Sequence, residues 1–253
     1  MKHVSLIVLS ALLAATVATA APPTHPLPSF VGLAIADKNR PEDDRALDDQ
    51  RHPAAVLGFT GIKPGDVVVD LMPGRGYYTR LFSRMVGPKG QVYALQPTEM
   101  DKKAPKGLIS VRSFAGTEAY PNVTVLVEPD TALKLPEPVD VIWTSQNYHD
   151  LHDPFMGKPD MATLDKQLFD ALKPGGTLIV LDHAAAAGTG ISNTDDLHRI
   201  DPAAVKSELT AAGFQFEGES DVLRNPADDH TKGIYDPSIK GHTDRFIYKF
   251  RKP

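Results

Sequence analysis

The stretch Val67-Val68-Val69-Asp70-Leu71-Met72-Pro73-Gly74-Arg75-Gly76-Tyr77-Tyr78-Thr79 constrains this chain more than any other. Its β-branched run reads as a strand buried on both faces of a parallel sheet. The run stops at an acid, turns through Pro73 and two glycines, and enters an amphipathic helix over 77–86 that Gly87 ends. In an open α/β sheet the first strand–loop–helix is where a nucleotide-like ligand sits, because glycines let the backbone approach it closely. The chain is therefore expected to bind a nucleoside-bearing cofactor.

The rest of the chain repeats this unit. Strands are expected over 67–71, 91–95, 123–127, 139–144 and 176–182, and helices over 77–86, 115–119 and 161–172. That is the rhythm of a right-handed βαβ series. A helix over 202–212 ends at Gly213, and a sixth strand follows at 214–219. In the last strand, 245–250, Phe246, Tyr248 and Phe250 alternate with polar neighbours. No clear crossover helix precedes it, so it is expected to run antiparallel. The fold class is α/β, with helices on both faces of a mostly parallel sheet. Upstream, Pro41 suits a first helical turn, and Glu42, Asp43 and Asp44 suit a helix N-terminus. The charged stretch from Arg40 to Arg51 reads as a solvated helix face. A polar loop over 221–243 carries Arg224, Asn225, Asp228, Asp229, His230 and His242. A connection this long in a compact domain is usually functional or disordered.

Residues 1–20 read as a cleavable signal peptide: a basic Met1-Lys2-His3, an apolar run from Val4 to Val17, and an Ala18-Thr19-Ala20 cleavage site. The run is too short for a membrane anchor, and Pro22, Pro23, Pro26 and Pro28 follow at once. Cleavage leaves 253 − 20 = 233 residues: a Pro-rich linker over 21–29 and a domain over 30–253. The mature protein is expected in the periplasm or outside the cell, with no stable membrane insertion. Losing Lys2 moves the formal charge from −5 to near −6, and no basic cluster argues for nucleic acid. With no cysteine, neither a disulfide nor a thiol nucleophile is available.

Two cofactors compete for the glycine loop. A dinucleotide asks for Gly-x-Gly-x-x-Gly and an acid about twenty residues on. Here Thr79 stands at the third glycine and Gln96 follows the second strand. The other candidate is S-adenosyl-L-methionine. From about residue 45 to its end the chain resembles the class I S-adenosylmethionine-dependent methyltransferases. Asp70 to Gly76 carries two of the three glycines of their acid-x-Gly-x-Gly-x-Gly loop, with Met72 in place of the first. Leu172-Lys173-Pro174-Gly175-Gly176 matches their turn before the fifth strand, and Ala212-Gly213-Phe214 their entry to the sixth. More narrowly, Arg51-His52-Pro53, Gly76-Tyr77-Tyr78 and Tyr148-His149-Asp150 resemble a group of exported bacterial methyltransferases.

The resemblance implies a Rossmann-like, seven-stranded sheet with an antiparallel last strand. It also implies a cofactor held by Asp70, Met72, Gly74, Gly76, Tyr77, Gln96, Asp130 and Asn147. Gly74 and Gly76 would line its methionyl part, and Asp70 would orient the loop. Gln96 would meet the ribose, and Asp130, or equally Thr131, the adenine amine. The family places an acid where Gln96 stands; an amide there accepts a hydrogen bond without charge. The lost carboxylate costs about 1–3 kcal/mol if its partners stay buried and unpaired. All of this requires Pro73–Gly76 to form an open cradle, not plugged by Met72 or Arg75.

The fourth strand ends at Thr144-Ser145-Gln146-Asn147-Tyr148-His149-Asp150 and the fifth at Leu181-Asp182-His183. Both point polar residues at the rim where ligands bind. His198 to Asp201 and Asp228 to His230 are placed to fold over it. Methyl transfer is an in-line displacement at a sulfonium, so positioning dominates. An oxygen or nitrogen acceptor also needs a base. His149 is the candidate, oriented by Asp150 or Asp182, with His183 as a further catalytic residue; the alternative is that His149 makes only a structural hydrogen bond. Tyr77 and Tyr78 either line the cofactor or simply pack. His149-x-x-His152, Asp150, Asp153, Asp182, His183 and His230 are metal-ligand types. They lack a recognised zinc spacing, so no metal is assigned. The sequence thus reads as an exported methyltransferase acting on a small molecule or envelope component. Two alternatives stay open: a non-catalytic periplasmic binding protein on the same fold, favoured by Met72 and Gln96, and a metal-dependent enzyme built on the His/Asp rim.

Overall fold

One seven-stranded sheet organises the residues that the computed structural model describes, 27–157 and 159–253. The expected signal peptide and most of the expected linker lie outside the described residues. In chain order the strands are β1 Val67–Leu71, β2 Gln91–Pro97, β3 Val123–Glu128, β4 Val139–Ser145, β5 Leu172–His183, β6 Gln215–Ser220 and β7 Arg245–Arg251. They lie in the order β3-β2-β1-β4-β5-β7-β6. The first five pair in parallel, and β7 runs antiparallel between β5 and β6. Every expected strand is therefore present, and the last is antiparallel. β5 begins earlier than expected: Leu172 pairs with Val139, and after an irregularity the ladder resumes at Thr177 opposite Val141.

The helices are α1 Ser29–Ile35, α2 Glu42–Arg45, α3 Asp48–Arg51, α4 Pro53–Thr60, α5 Tyr77–Val86, α6 Thr98–Lys103, α7 Pro105–Phe114, α8 Met161–Ala171, α9 Thr194–Leu197 and α10 Pro202–Ala211. Because side chains alternate across a strand, neighbouring strand residues feed two cores. Val68, Val92, Trp143 and Ile179 pack with α1, α4, α5 and α7 on one face. Val69, Ile142, Leu178 and Val180 pack with α8 and α10 on the other. Each fully buried Leu or Phe in these layers contributes about 1.5–3 kcal/mol. No helix among the described residues is long and apolar enough to cross a membrane.

Two expectations are corrected. Residues 115–119 form no helix. The connection from β2 to β3 is made by α6 and α7, and after Phe114 the chain turns, with Gly116 N–H donating to Tyr120 O and Tyr120 N–H to Thr117 O. The segment from Arg40 to Arg51 is a solvated face only in part: Glu42, Asp43, Arg45 and Asp49 are exposed as expected, but Arg40 and Asp44 are not. Arg40 is buried and grips Asp48 through two hydrogen bonds of 3.0 and 2.6 Å, and Arg80 of α5 pairs with buried Asp44 at 3.0 Å. These ion pairs fold α2 and α3 down over the carboxyl ends of the strands.

Candidate functional site

A cavity of about 480 Å³ opens where β1, β2 and β4 end. Its size falls in the range of small-molecule sites. Asp70, Met72, Pro73 and Gly74 line it from β1, Gln96 from β2, and Asn147 and Asp150 from the segment after β4. Met72 and Arg75 both line the cavity without closing it. The loop is locked from behind, because Asn147 Nδ2 donates to Met72 O at 2.6 Å while the Thr144 hydroxyl donates to Asn147 Oδ1.

The two glycines of the turn do different work. Gly74 has φ +56° and a Cβ there would meet nothing within 4 Å, which is the open cradle the sequence requires. Gly76, expected to line the cofactor, does not line the cavity. A Cβ on it would lie 2.6 Å from Phe114 Cζ, so its small size seats α5 against α7. Asp70 sits under the cradle and accepts from Thr79 Oγ1 at 2.5 Å. Burial pushes its carboxyl up to about 7, against the pull of the Thr79 hydroxyl and the Arg51 charge. Tyr77 lines the mouth. Its hydroxyl donates to Asp48 at 2.6 Å, and the Arg51 guanidinium lies 4.4 Å from its ring centroid, a cation–π distance. Tyr78 also reaches the cavity but is buried against Trp143, with ring centroids 4.7 Å apart.

Asp130 is misplaced by the sequence reading. It is buried in a turn after β3, outside the cavity lining, and Glu99 adds to burial in raising its carboxyl. Thr131 does not line the cavity either; that wall comes from Met100, Ala104, Gly107 and Ser110 of the α6–α7 segment. These residues were missed together with the two helices that carry them.

At the other end stands the rim. Asp182 is fully buried at the end of β5 and accepts from both the backbone N–H and the Nδ1 of His149, each at 2.8 Å. His149 is buried one layer behind the cavity, and its Nε2 lies 3.5 Å from Asp150 Oδ1. Asp150 lines the cavity; so does His183, whose Nδ1 pairs with Thr243 Oγ1 at 2.7 Å. Burial disfavours the His149 imidazolium, but Asp182, Asp150 and Asp153 outweigh it and hold the ring at about 9. His149 holds Asp182 low in turn, although burial alone would raise that carboxyl. Burial lifts Asp150 to about 6 against the opposing charge of His149. Burial drives His183 down to about 3 against the pull of Asp182, so it is neutral.

The structure divides the other metal-ligand types foreseen in the sequence. His152 Nε2 turns away to Glu208 at 3.1 Å, and His230 Nε2 is taken by Asp244 at 3.0 Å. His198 comes to the rim instead. Its ring centroid is 5.5 Å from that of His149, and Tyr235 packs on its other side at 5.3 Å. The loop over 221–243 holds no helix or strand but is pinned by Arg199–Asp228 and Arg224–Asp244 at 2.9 Å each. It delivers Ile234 and Tyr235 to the cavity lining. Neither residue carried a sequence signal, since two adjacent apolar residues in a polar loop are too few to show a period.

No family model matches the chain. It is similar to the ubiquinone/menaquinone biosynthesis C-methyltransferase UbiE of Hydrogenovibrio crunogenus, 26% identical over 171 residues, covering 65% of this chain and 62% of that protein. The enzyme of the same name from Pseudomonas paraeruginosa is 26% identical over 199 residues, covering 76% of this chain and 71% of that one. The chain thus spans between 62% and 71% of the length of these two relatives. In fold it is similar to an S-adenosylmethionine-dependent methyltransferase from Aquifex aeolicus, with a TM-score of 0.54, 23% identity, and coverage of 85% of this chain and all of that one. Its relatives and its fold are those of the class I methyltransferases, whose cofactor is S-adenosyl-L-methionine.

Proposed function

We infer that this chain, a relative of the class I methyltransferases in sequence and fold, is an S-adenosylmethionine-dependent methyltransferase acting on a small molecule outside the cytoplasm. The observation that carries this reading is the open cradle at Gly74, continuous with a cavity whose far end presents Asp150 and His183. When bound, the cofactor supplies a methyl group on a sulfonium. The chain's own residues do the rest. Gln96 offers its amide to the ribose hydroxyls, and Asp70 supplies negative charge below the loop. Asn147 holds the loop in register through Met72 O. Asp150 is the group that meets the acceptor and takes its proton, because it lines the cavity while His149 does not. His149 and Asp182 stand behind it and position it. His183, being neutral, meets the acceptor as a hydrogen-bonding group. Because the relatives are C-methyltransferases of ubiquinone and menaquinone biosynthesis, a quinone-related ring is the first acceptor to try.

Calorimetry of the chain lacking residues 1–20 is expected to show micromolar binding of S-adenosylmethionine; no heat at millimolar ligand would reject the reading. The affinity should also depend on pH. Asp70 titrates near pH 7 with Arg51, Thr79 and Tyr78 around it, and only its ionised form attracts the cationic cofactor. Binding should therefore tighten between pH 6 and pH 8, by about three- to tenfold, equivalent to about 0.7–1.4 kcal/mol. A flat profile removes Asp70 from cofactor recognition.

Export is tested separately. The protein recovered from the periplasm or medium of its own cells should begin at Ala21 and have the mass of 253 − 20 = 233 residues. An uncleaved chain confined to the cytoplasm would overturn it.

A further inference from the structure

We propose that His149 Nε2, Asp150 Oδ1 and His198 Nδ1 bind one divalent transition-metal cation beside the cofactor cavity. Asp150 Oδ1 lies 3.5 Å from His149 Nε2 and 3.7 Å from His198 Nδ1, and all three donor atoms lie within 4.8 Å of one another. Both separations exceed good hydrogen-bond length, so these groups surround a common point without bonding to each other. A tetrahedral ion with ligand bonds of about 2.0–2.1 Å spaces its ligands about 3.3 Å apart. The two separations from Asp150 Oδ1 stand close to that spacing already, and the two imidazole nitrogens lie within 4.8 Å of each other.

Two further observations point to a cation. Asp182, fully buried, accepts from His149 Nδ1 at 2.8 Å. A carboxylate behind an imidazole is the usual support of a metal-binding histidine: it keeps the proton on Nδ1 and leaves Nε2 free to donate its lone pair. The second is Asp153. It is fully buried, and among the described residues neither carboxylate oxygen makes a well-formed hydrogen bond; the Thr194 hydroxyl is the donor that acts on it, and its bond of 3.2 Å goes to Ile191 O. A buried unpaired carboxylate is costly, and a cation held by its neighbours His149 and His198 would offset that cost.

The donor set selects the ion. Two imidazoles and one carboxylate suit zinc, manganese, iron or cobalt, whereas magnesium and calcium prefer oxygen ligands. Three protein ligands leave at least one position open. That position faces the cavity, because Asp150 lines it. An acceptor carrying a hydroxyl, enol or carboxylate oxygen would complete the coordination there. With the cation in place Asp150 serves as a ligand, and the cation meets the acceptor's negative charge.

Cation binding does not depend on methyl transfer, so the two readings fail separately. The probe is Co²⁺ added to the metal-stripped chain lacking residues 1–20, followed by visible absorption. The expected result is one Co²⁺ per chain with intense bands of a low-coordinate nitrogen–oxygen site, displaced by Zn²⁺ and not by Mg²⁺. His198 has φ +54°, a conformation asparagine tolerates, so His198→Asn removes the imidazole while keeping the backbone. This variant should lose the bands yet bind S-adenosylmethionine within twofold of the parent. No bands at millimolar Co²⁺, or bands unchanged in His198→Asn, would overturn the site. Either outcome with intact cofactor binding would leave the methyltransferase reading in place.

Discussion

Asp182→Asn is expected to lower methyl transfer by about 10²- to 10⁴-fold, the range set by positioned proton-transfer groups and their supports. The affinity for S-adenosylmethionine should change less than threefold. Asp182 serves three donors: the Nδ1 and backbone N–H of His149 and the backbone N–H of His183. An asparagine has one oxygen and an amide that only donates, so at least one of those groups loses its partner. It also removes the charge that sustains the His149 imidazolium, and the ring is then free to leave Asp150. Asp182 does not line the cavity, which is why cofactor affinity is the control. A buried donor left unpaired costs about 1–3 kcal/mol of stability. The variant should therefore melt a few degrees lower but remain folded. Turnover within threefold of the parent would show that Asp182 is structural only. An equal loss of cofactor binding would show that the rim and the cradle are not separate.

Asp228→Ala is expected to destabilise the protein by about 3–5 kcal/mol, the cost of breaking a buried ion pair. Asp228 and Arg199 are both fully buried and meet at 2.9 Å. Arg199 also donates to Ala184 O and Lys232 O, while Asp228 accepts from the backbone N–H groups of Asp244 and His230. The alanine leaves a buried guanidinium without its counter-charge and two N–H groups without acceptors. Urea unfolding should show the lower midpoint, and the combined Arg199→Met, Asp228→Leu replacement should recover part of it by removing the buried charge. A loss below 1 kcal/mol would mean that the loop is held by other contacts. Since the same loop carries Ile234 and Tyr235, the variant should also weaken acceptor binding more than cofactor binding.

The strands were legible because burial on both sides of a sheet demands continuous apolar runs rich in β-branched residues, and Val67–Val69 and Leu178–Leu181 supply them. The cradle was legible because Pro73, Gly74 and Gly76 leave few other conformations open. Short elements were not legible. α2 and α3 have four residues each and α6 has six, too few for a helical period to show. Their charged residues read as solvent-facing until Arg40–Asp48 and Arg80–Asp44 are seen to close over the cavity.

Local chemistry thus determined the sheet, its nucleotide-type turn and the polar character of the rim, since each depends on residues adjacent in the chain. Tertiary structure alone decided that Gly76 packs against Phe114, that Asp130 stands outside the cavity, and that His198 joins His149 and Asp150 while His152 does not. Those outcomes depend on which distant segments meet. That is set by the packing of two cores and by buried ion pairs such as Arg199–Asp228, whose partners are far apart in sequence and leave no periodic trace in it.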